Sequence, residues 1–290
     1  MNRAKNKVAE IIFFNATRVS VTLVLVALLA IFVSLLYKAY PAFSEFGFGF
    51  ITSSAWDTNK GEFGALSSIY GTVVSTFIAM LLATPVAIGI AIFLTQIAPH
   101  KIRNFFSINI ELLAAIPSIV YGMWGFIYFV PLVRDVFGGT GFGLLTGGMV
   151  LAVMILPFIA SVSRDAMATT PEILKESAYA LGATRFDTIK DVVFPYAKSG
   201  IIGSVILALG RAFGETMAVA FLIGGISKLP ESITDPATSI PVALATQFGE
   251  AMGNEIYESS LFYLALILFV ISFASIAVAK FVFLRRRDTK

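Results

Sequence analysis

Apolar and polar positions alternate along this chain in long blocks. Six of the apolar blocks are long enough to cross a bilayer, which takes about 20 such residues in a helix. They run from Val19 to Tyr37, Ser68 to Ile97, Asn109 to Val130, Leu144 to Val162, Ser199 to Ile226 and Leu261 to Leu284. The predicted fold is an all-α membrane protein with six transmembrane helices. The second, third and fourth blocks hold internal prolines, Pro85, Pro117 and Pro157. Each removes a backbone donor and bends its helix, which hydrocarbon tolerates only where a neighbouring helix or a water-lined path satisfies the freed carbonyl. Three in succession predict kinks around a pathway. Between the first and second blocks, Pro41 to Phe63 is rich in glycine and aromatics (Phe43, Phe46, Phe48, Phe50, Trp56) and too interrupted to span. It reads as a membrane-interface belt or as a docking surface for a soluble partner. The run Ala114-Ala115-Ile116-Pro117-Ser118 with Tyr121-Gly122 predicts close approach of backbones. The loop from Ser227 to Ser260, with Pro230, Pro236 and Pro241, is expected to hold a short helix from Ile240 to Met252.

One polar island, Thr170 to Pro195, interrupts the apolar pattern. It predicts two short helices hinged at a glycine. Thr170 is placed to cap the first, with Pro171 at its first position and Glu172 beside its positive end. Gly182 is the expected stop. Thr184 and Asp187 have capping-box spacing for a second helix, with Phe186, Ile189, Val192 and Val193 on one face and Pro195 ending it. Ile173, Leu174, Ala178 and Leu181 make an apolar face too short to cross a bilayer, so the hairpin belongs at the membrane surface.

Composition agrees with the membrane reading. The 290 residues are 57% hydrophobic and 13% charged, with mean hydropathy +0.86, whereas soluble domains carry about a quarter charged residues. Cysteine is absent and His100 is the only histidine, which excludes a disulfide framework and leaves no set of converging metal ligands. The net charge of +3 is spread over short loops rather than gathered into a stripe for nucleic acid. Its distribution follows topology. Sixteen of the 21 lysines and arginines fall in residues 1–18, the connector holding Lys101 and Arg103, the hairpin region and the C-terminal end, whose basic tail is 285–290. Only Lys38, Lys60, Arg134 and Lys228 lie in the alternate loops. By the positive-inside rule both termini and the hairpin at 170–195 are cytoplasmic, and the aromatic loop 38–67 is extracytoplasmic. No small-residue cleavage site follows the first apolar run, and no Gly-x-x-x-x-Gly-Lys-Ser/Thr loop exists to bind ATP. Any energy from ATP must be borrowed.

The remaining basic residue, Arg211, stands with Glu215 inside the fifth block. From Ser199 it is 12 residues, or about 18 Å, into the predicted helix. The i, i+4 spacing predicts both on one helix face. A mid-membrane charge costs roughly 2.5 to 3.5 kcal/mol, so such residues are functional by default. One reading is a static ion pair; the other is an anion site. A guanidinium donates in bidentate fashion to an oxyanion, and Gly210 and Gly214 leave room for a substrate or a second helix. Glu215 repels a fully deprotonated oxyanion but accepts a hydrogen bond from one that keeps a proton. Phosphate keeps one near neutral pH, with a second pKa of about 6 in its esters as a guide; sulfate does not.

Two sets of residues carry a family resemblance. Glu176-Ser177-Ala178, Gly182, Val192 and Phe194-Pro195 resemble the EAA motif of ABC-transporter permeases, with Ser177, Val192 and Phe194 replacing its Ala, Ile and Leu. In that family the motif is the coupling helix, which docks in a groove of the ATP-hydrolysing subunit. Gly210-Arg211-Ala212-Phe213-Gly214-Glu215-Thr216-Met217, together with the Ala-Ala-Ile-Pro-Ser run, is similar to permeases of phosphate ABC importers of the PstC type. The resemblance implies the type I importer permease fold and no catalysis by the chain itself. It implies no cofactor on this chain, ATP and Mg being used by a partner ATPase pair (PstB type). A second permease (PstA type) and an extracytoplasmic phosphate-binding protein (PstS type) complete the expected complex in the bacterial inner membrane. Arg211, Glu215, Gly210, Gly214 and Thr216 then line the substrate pathway, and Glu176, Ser177, Ala178, Gly182 and Pro195 contact the ATPase. The competing readings are a sulfate or molybdate permease of the same fold, an ion-driven carrier, for which no internal repeat is evident, and an intramembrane hydrolase, for which Ser118 lacks a partner base.

Overall fold

The computed structural model describes residues 2–284, all of whose regular structure is helical. Thirteen helices can be followed among them. A first long helix, α1 (Asn2–Phe46), is followed by the single turn α2 (Gly49–Thr52) and by α3 (Leu66–Ile92), which runs on as a widened π turn, Phe93–Ile97. Then come α4 (His100–Ala114), α5 (Ser118–Trp124) with a π turn at Gly125–Phe129, α6 (Val130–Phe137) and α7 (Leu144–Ala168). The hairpin is α8 (Glu172–Ala180) and α9 (Arg185–Thr188) with a π turn at Ile189–Val193, leading into α10 (Phe194–Phe213). Three more follow: α11 (Met217–Ala220), α12 (Ile240–Ala251) and α13 (Glu255–Leu284). Among the described residues six helical stretches have the length and apolarity to cross a membrane: 10–46, 66–97, 118–137, 144–168, 185–213 and 255–281. The side chains of Arg3, Lys5 and Lys7, that of His100, and the basic tail 285–290 lie outside the described residues.

Helix α7 is the axis of the main core. Its buried face (Leu144, Val150, Leu151, Met154, Ile155, Ile159) packs against α3, which offers the small residues Ser75, Ala79, Ala83 and Ala87. Small residues permit that approach: a Cβ on Gly148 would lie 2.7 Å from Ile78. On its other side α7 crosses α10, where a Cβ on Gly200 would meet the Ala166 methyl at 2.4 Å and the buried Ser163 and Ser204 hydroxyls bond to each other at 2.8 Å.

Several boundaries differ from the sequence expectations, each for a local reason. Helix α1 does not stop near Tyr37 but continues through Pro41 to Phe46. The Ser259 hydroxyl of α13 donates to the Lys38 carbonyl at 2.9 Å and accepts from the Ala42 amide at 2.8 Å. A side chain inserted into the i to i−4 ladder thus carries the helix past its proline. The aromatic segment beyond is in part a core, while Phe43 and Phe48 stay exposed. Phe50 is fully buried and stacks on Tyr263 at 4.5 Å, Phe63 stacks on Tyr257 at 5.2 Å, and the Trp56 indole donates to Gln247 at 2.8 Å. These residues make a second core that ties residues 39–65 to α12 and α13.

The third crossing is not one kinked helix over 109–130. It is broken at Ala115 to Pro117, and Pro117 precedes α5 rather than bending a continuous span. Pro85 and Pro157 do lie inside α3 and α7. Pro195 does not end the hairpin either. It sits in the first turn of α10, directly after the Ile189–Val193 π turn, so the helix runs unbroken from Arg185 to Phe213. Nor does the fifth crossing reach Ile226, because α10 stops at Phe213. Residues 214–239 instead fold back over the ends of α7 and α3. Gly143 donates to the Leu222 carbonyl at 3.0 Å and Leu145 to Ile233 at 2.9 Å. Thr72 of α3 caps α12 from a distance by accepting the Ile240 amide at 2.8 Å.

Candidate functional site

The stop at Phe213 sets the geometry of the charged residues. Gly214 is the C-cap of α10, and Arg211 lies in the last turn, where a cation meets the negative end of the helix dipole. Glu215 is past the helix end, so the two do not share one helix face. Its Oε1 accepts from the Ala218 amide at 3.1 Å, at the start of α11. Among the described residues no carboxylate lies within ion-pairing distance of Arg211, and the static ion pair is therefore not present. The Arg211 guanidinium carbon is instead 6.0 Å from the centre of the Phe158 ring.

Phe158 fixes the depth of the site. It lies 14 residues along the 25 of α7, about 21 Å from that helix's first residue in a length of about 36 Å. Arg211 is therefore level with the middle of the α7 crossing and exposed on the surface of the isolated chain. Gly214 beside it is also exposed; a Cβ there would make only ordinary contact, 3.9 Å, with the Gly210 and Arg211 carbonyl oxygens, and Thr216 donates to the Gly214 carbonyl at 3.2 Å. Gly210 points elsewhere: a Cβ there would come within 3.2 Å of Ile276, so it serves the packing of α10 on α13. Tyr121 and Gly122 flank the same region. The Tyr121 hydroxyl donates to the Leu113 carbonyl across the α4–α5 break at 2.9 Å, and a Cβ on Gly122 would touch the Ala218 backbone at 3.0 Å. The sequence marked Tyr121-Gly122 for close packing; it carries no spacing signal for Phe158, whose role depends on how α7 crosses α10.

The hairpin is a projecting knob. No residue of α8 is fully buried: Ile173 is 65% exposed, Leu181 just past its end 90%, and Glu176 and Ser177 are exposed beside a half-buried Ala178. Gly182 has φ +87° with open space around it, a left-handed conformation that favours glycine. The Ala183 amide then closes onto the Ala178 carbonyl at 3.0 Å. Thr184 and Asp187 form the reciprocal capping box. Thr170, by contrast, caps nothing: its hydroxyl is buried and without a partner among the described residues. Lys175 pairs with Glu172 at 2.7 Å.

Residues 61–288 match the family described as binding-protein-dependent transport system inner membrane component. The "Phosphate transport system permease protein PstC" of Mesorhizobium japonicum is 45% identical to this chain, covering 95% of it and 90% of its own length. That of Pasteurella multocida is 42% identical over 98% of this chain and 94% of its own. The "Probable ABC transporter permease protein YqgH" of Bacillus subtilis is 39% identical, over 82% of this chain and 78% of its own length. Among solved structures, a bacterial alginate ABC transporter superposes with TM-score 0.64 at 15% identity, over 100% of this chain and 99% of that one. The inward-facing MetNI methionine ABC transporter does so with TM-score 0.55 at 21% identity, over 73% and 93%. The fold is thus the type I ABC importer permease fold. Together the family match and these identities show that the chain belongs to the binding-protein-dependent transport system inner membrane components and is a multi-pass permease subunit of an ABC transporter.

Proposed function

We propose that the chain is the translocation subunit of an ATP-driven importer that carries inorganic phosphate into the cytoplasm. The observation that carries the reading is an unpaired, exposed arginine at mid-membrane depth. Facing lipid, Arg211 would cost at least roughly 2.5 to 3.5 kcal/mol. Facing a polar pathway completed by a second permease, its donors are available to an oxyanion. The names of the bacterial relatives, at 42–45% identity nearly end to end, support phosphate as that oxyanion. Glu215 spends one oxygen on the Ala218 amide and keeps the other for the proton that phosphate retains. Thr216 and Gly214 complete the polar step.

The complex comprises this chain, a second permease of the PstA type, an ATPase pair of the PstB type and a phosphate-binding protein of the PstS type in a bacterial inner membrane. This chain binds no cofactor; ATP and Mg act in the ATPases. With the basic segments inside, both termini and the hairpin are cytoplasmic. The exposed apolar face of α8 and the turn at Gly182 dock in the ATPase groove through Glu176, Ser177 and Ala178. ATPase closure moves the knob, and the continuous helix from Arg185 to Phe213, about 43 Å long, carries that motion to Arg211. Proteoliposomes holding the full complex test the reading by ATP-dependent uptake of labelled phosphate and sulfate. Phosphate uptake that is lost in Arg211→Gln supports it. Preferential sulfate uptake, or native phosphate uptake in the variant, overturns it.

A further inference from the structure

We propose that Phe158 is a positioning residue for the anion step: its ring holds the Arg211 cation at mid-membrane while leaving the guanidinium N–H donors unspent. The proposal rests on the reading of Arg211 as the anion contact. A buried or mid-membrane arginine ordinarily meets a carboxylate, a backbone carbonyl or an aromatic face. No carboxylate pairs with Arg211, and no hydrogen bond engages it, among the described residues. Glu215 is turned to the Ala218 amide, and the Tyr121 hydroxyl is turned to the Leu113 carbonyl. What remains is the Phe158 face at 6.0 Å.

The choice has a chemical consequence. A carboxylate would take two of the five guanidinium donors in a fork, and an arriving oxyanion would have to displace it. A ring attracts the cation through its quadrupole and accepts none of the in-plane N–H groups. Phe158 is itself half-buried and packed against the main core, so the platform is fixed. It follows Pro157, where α7 lacks a ladder hydrogen bond to Val153.

The test uses the full complex in proteoliposomes with saturating phosphate-loaded binding protein. Uptake and stimulated ATP hydrolysis are measured side by side for the native chain, Phe158→Leu, Phe158→Tyr and Arg211→Gln. Removing the ring is expected to lower phosphate moved per ATP by about tenfold, the factor set by about 1.4 kcal/mol of cation–π stabilisation. ATP hydrolysis should stay near native, and Phe158→Tyr should restore most of the uptake. A packing role alone would lower uptake and hydrolysis together and would not be rescued by tyrosine, which overturns the proposal. Native uptake in Phe158→Leu with Arg211→Gln inactive also overturns it while sparing the anion reading. Native uptake in both variants removes the anion reading as well. Phe158→Met, close to leucine in volume, reads the same step if Phe158→Leu does not assemble.

Discussion

At the residue scale, the proposed function gives Glu215, beyond its bond to the Ala218 amide, a second duty, and the two separate on substitution. Glu215→Gln keeps an oxygen to accept the Ala218 amide, so the start of α11 survives, but it loses the carboxylate that rejects a fully deprotonated oxyanion. The expected outcome is native assembly with phosphate-over-sulfate discrimination reduced at least severalfold, read by competition of unlabelled sulfate against labelled phosphate uptake. Unchanged discrimination would show that Glu215 only caps. Both charges were legible in the sequence because ionisable residues inside an apolar block stand out. Their mutual placement was not, since i, i+4 spacing predicts one face only while the helix continues. It ends at Gly214, and the run Gly214-Glu215-Thr216, a C-cap glycine followed by polar residues with Thr216 before α11, is the signal that could have marked the break.

At the element scale the hairpin and the helix contacts give two expectations of different kinds. Gly182→Pro cannot adopt φ +87°, because proline is held near −65°. The turn lies outside the crossing stretches 144–168 and 185–213, so insertion should be normal while ATP-dependent uptake falls at least tenfold; Ala178→Arg should act alike by blocking close approach. Normal uptake in either variant would move the ATPase contact elsewhere. Gly71→Ala is different, since its Cβ would lie 1.8 Å from the Thr238 carbonyl oxygen. Overpacking of this kind costs about 1 to 3 kcal/mol, and the purified complex should lose several degrees of thermal stability with the hairpin untouched. The hairpin was legible because caps and a hinge glycine act locally, as the Thr184–Asp187 box bears out. The passage of α1 through Pro41 was not legible, because the hydroxyl that completes its ladder comes from Ser259, 217 residues away from Ala42.

At the scale of the whole molecule, the proposed function makes the chain half of a pathway. Its main core surrounds α7, its second core anchors α1 and α13, and the face with Arg211 and Gly214 is left open in the isolated subunit. Six crossings could be read from hydropathy alone; which face lines the pathway could not, because that depends on helix breaks and crossings set by distant residues. The chain has no cysteine, and a Cβ at the exposed Gly214 would make only ordinary van der Waals contact, 3.9 Å, with two backbone oxygens. A single Gly214→Cys substitution in the assembled, transport-competent complex therefore shows whether the Arg211 face lines a pathway, using a membrane-impermeant anionic thiol reagent. Labelling is expected, slowed by phosphate-loaded binding protein with ATP and not by sulfate. A cysteine that stays unlabelled in every state of the cycle would mean that this face meets lipid or a dry interface, and would contradict the pathway.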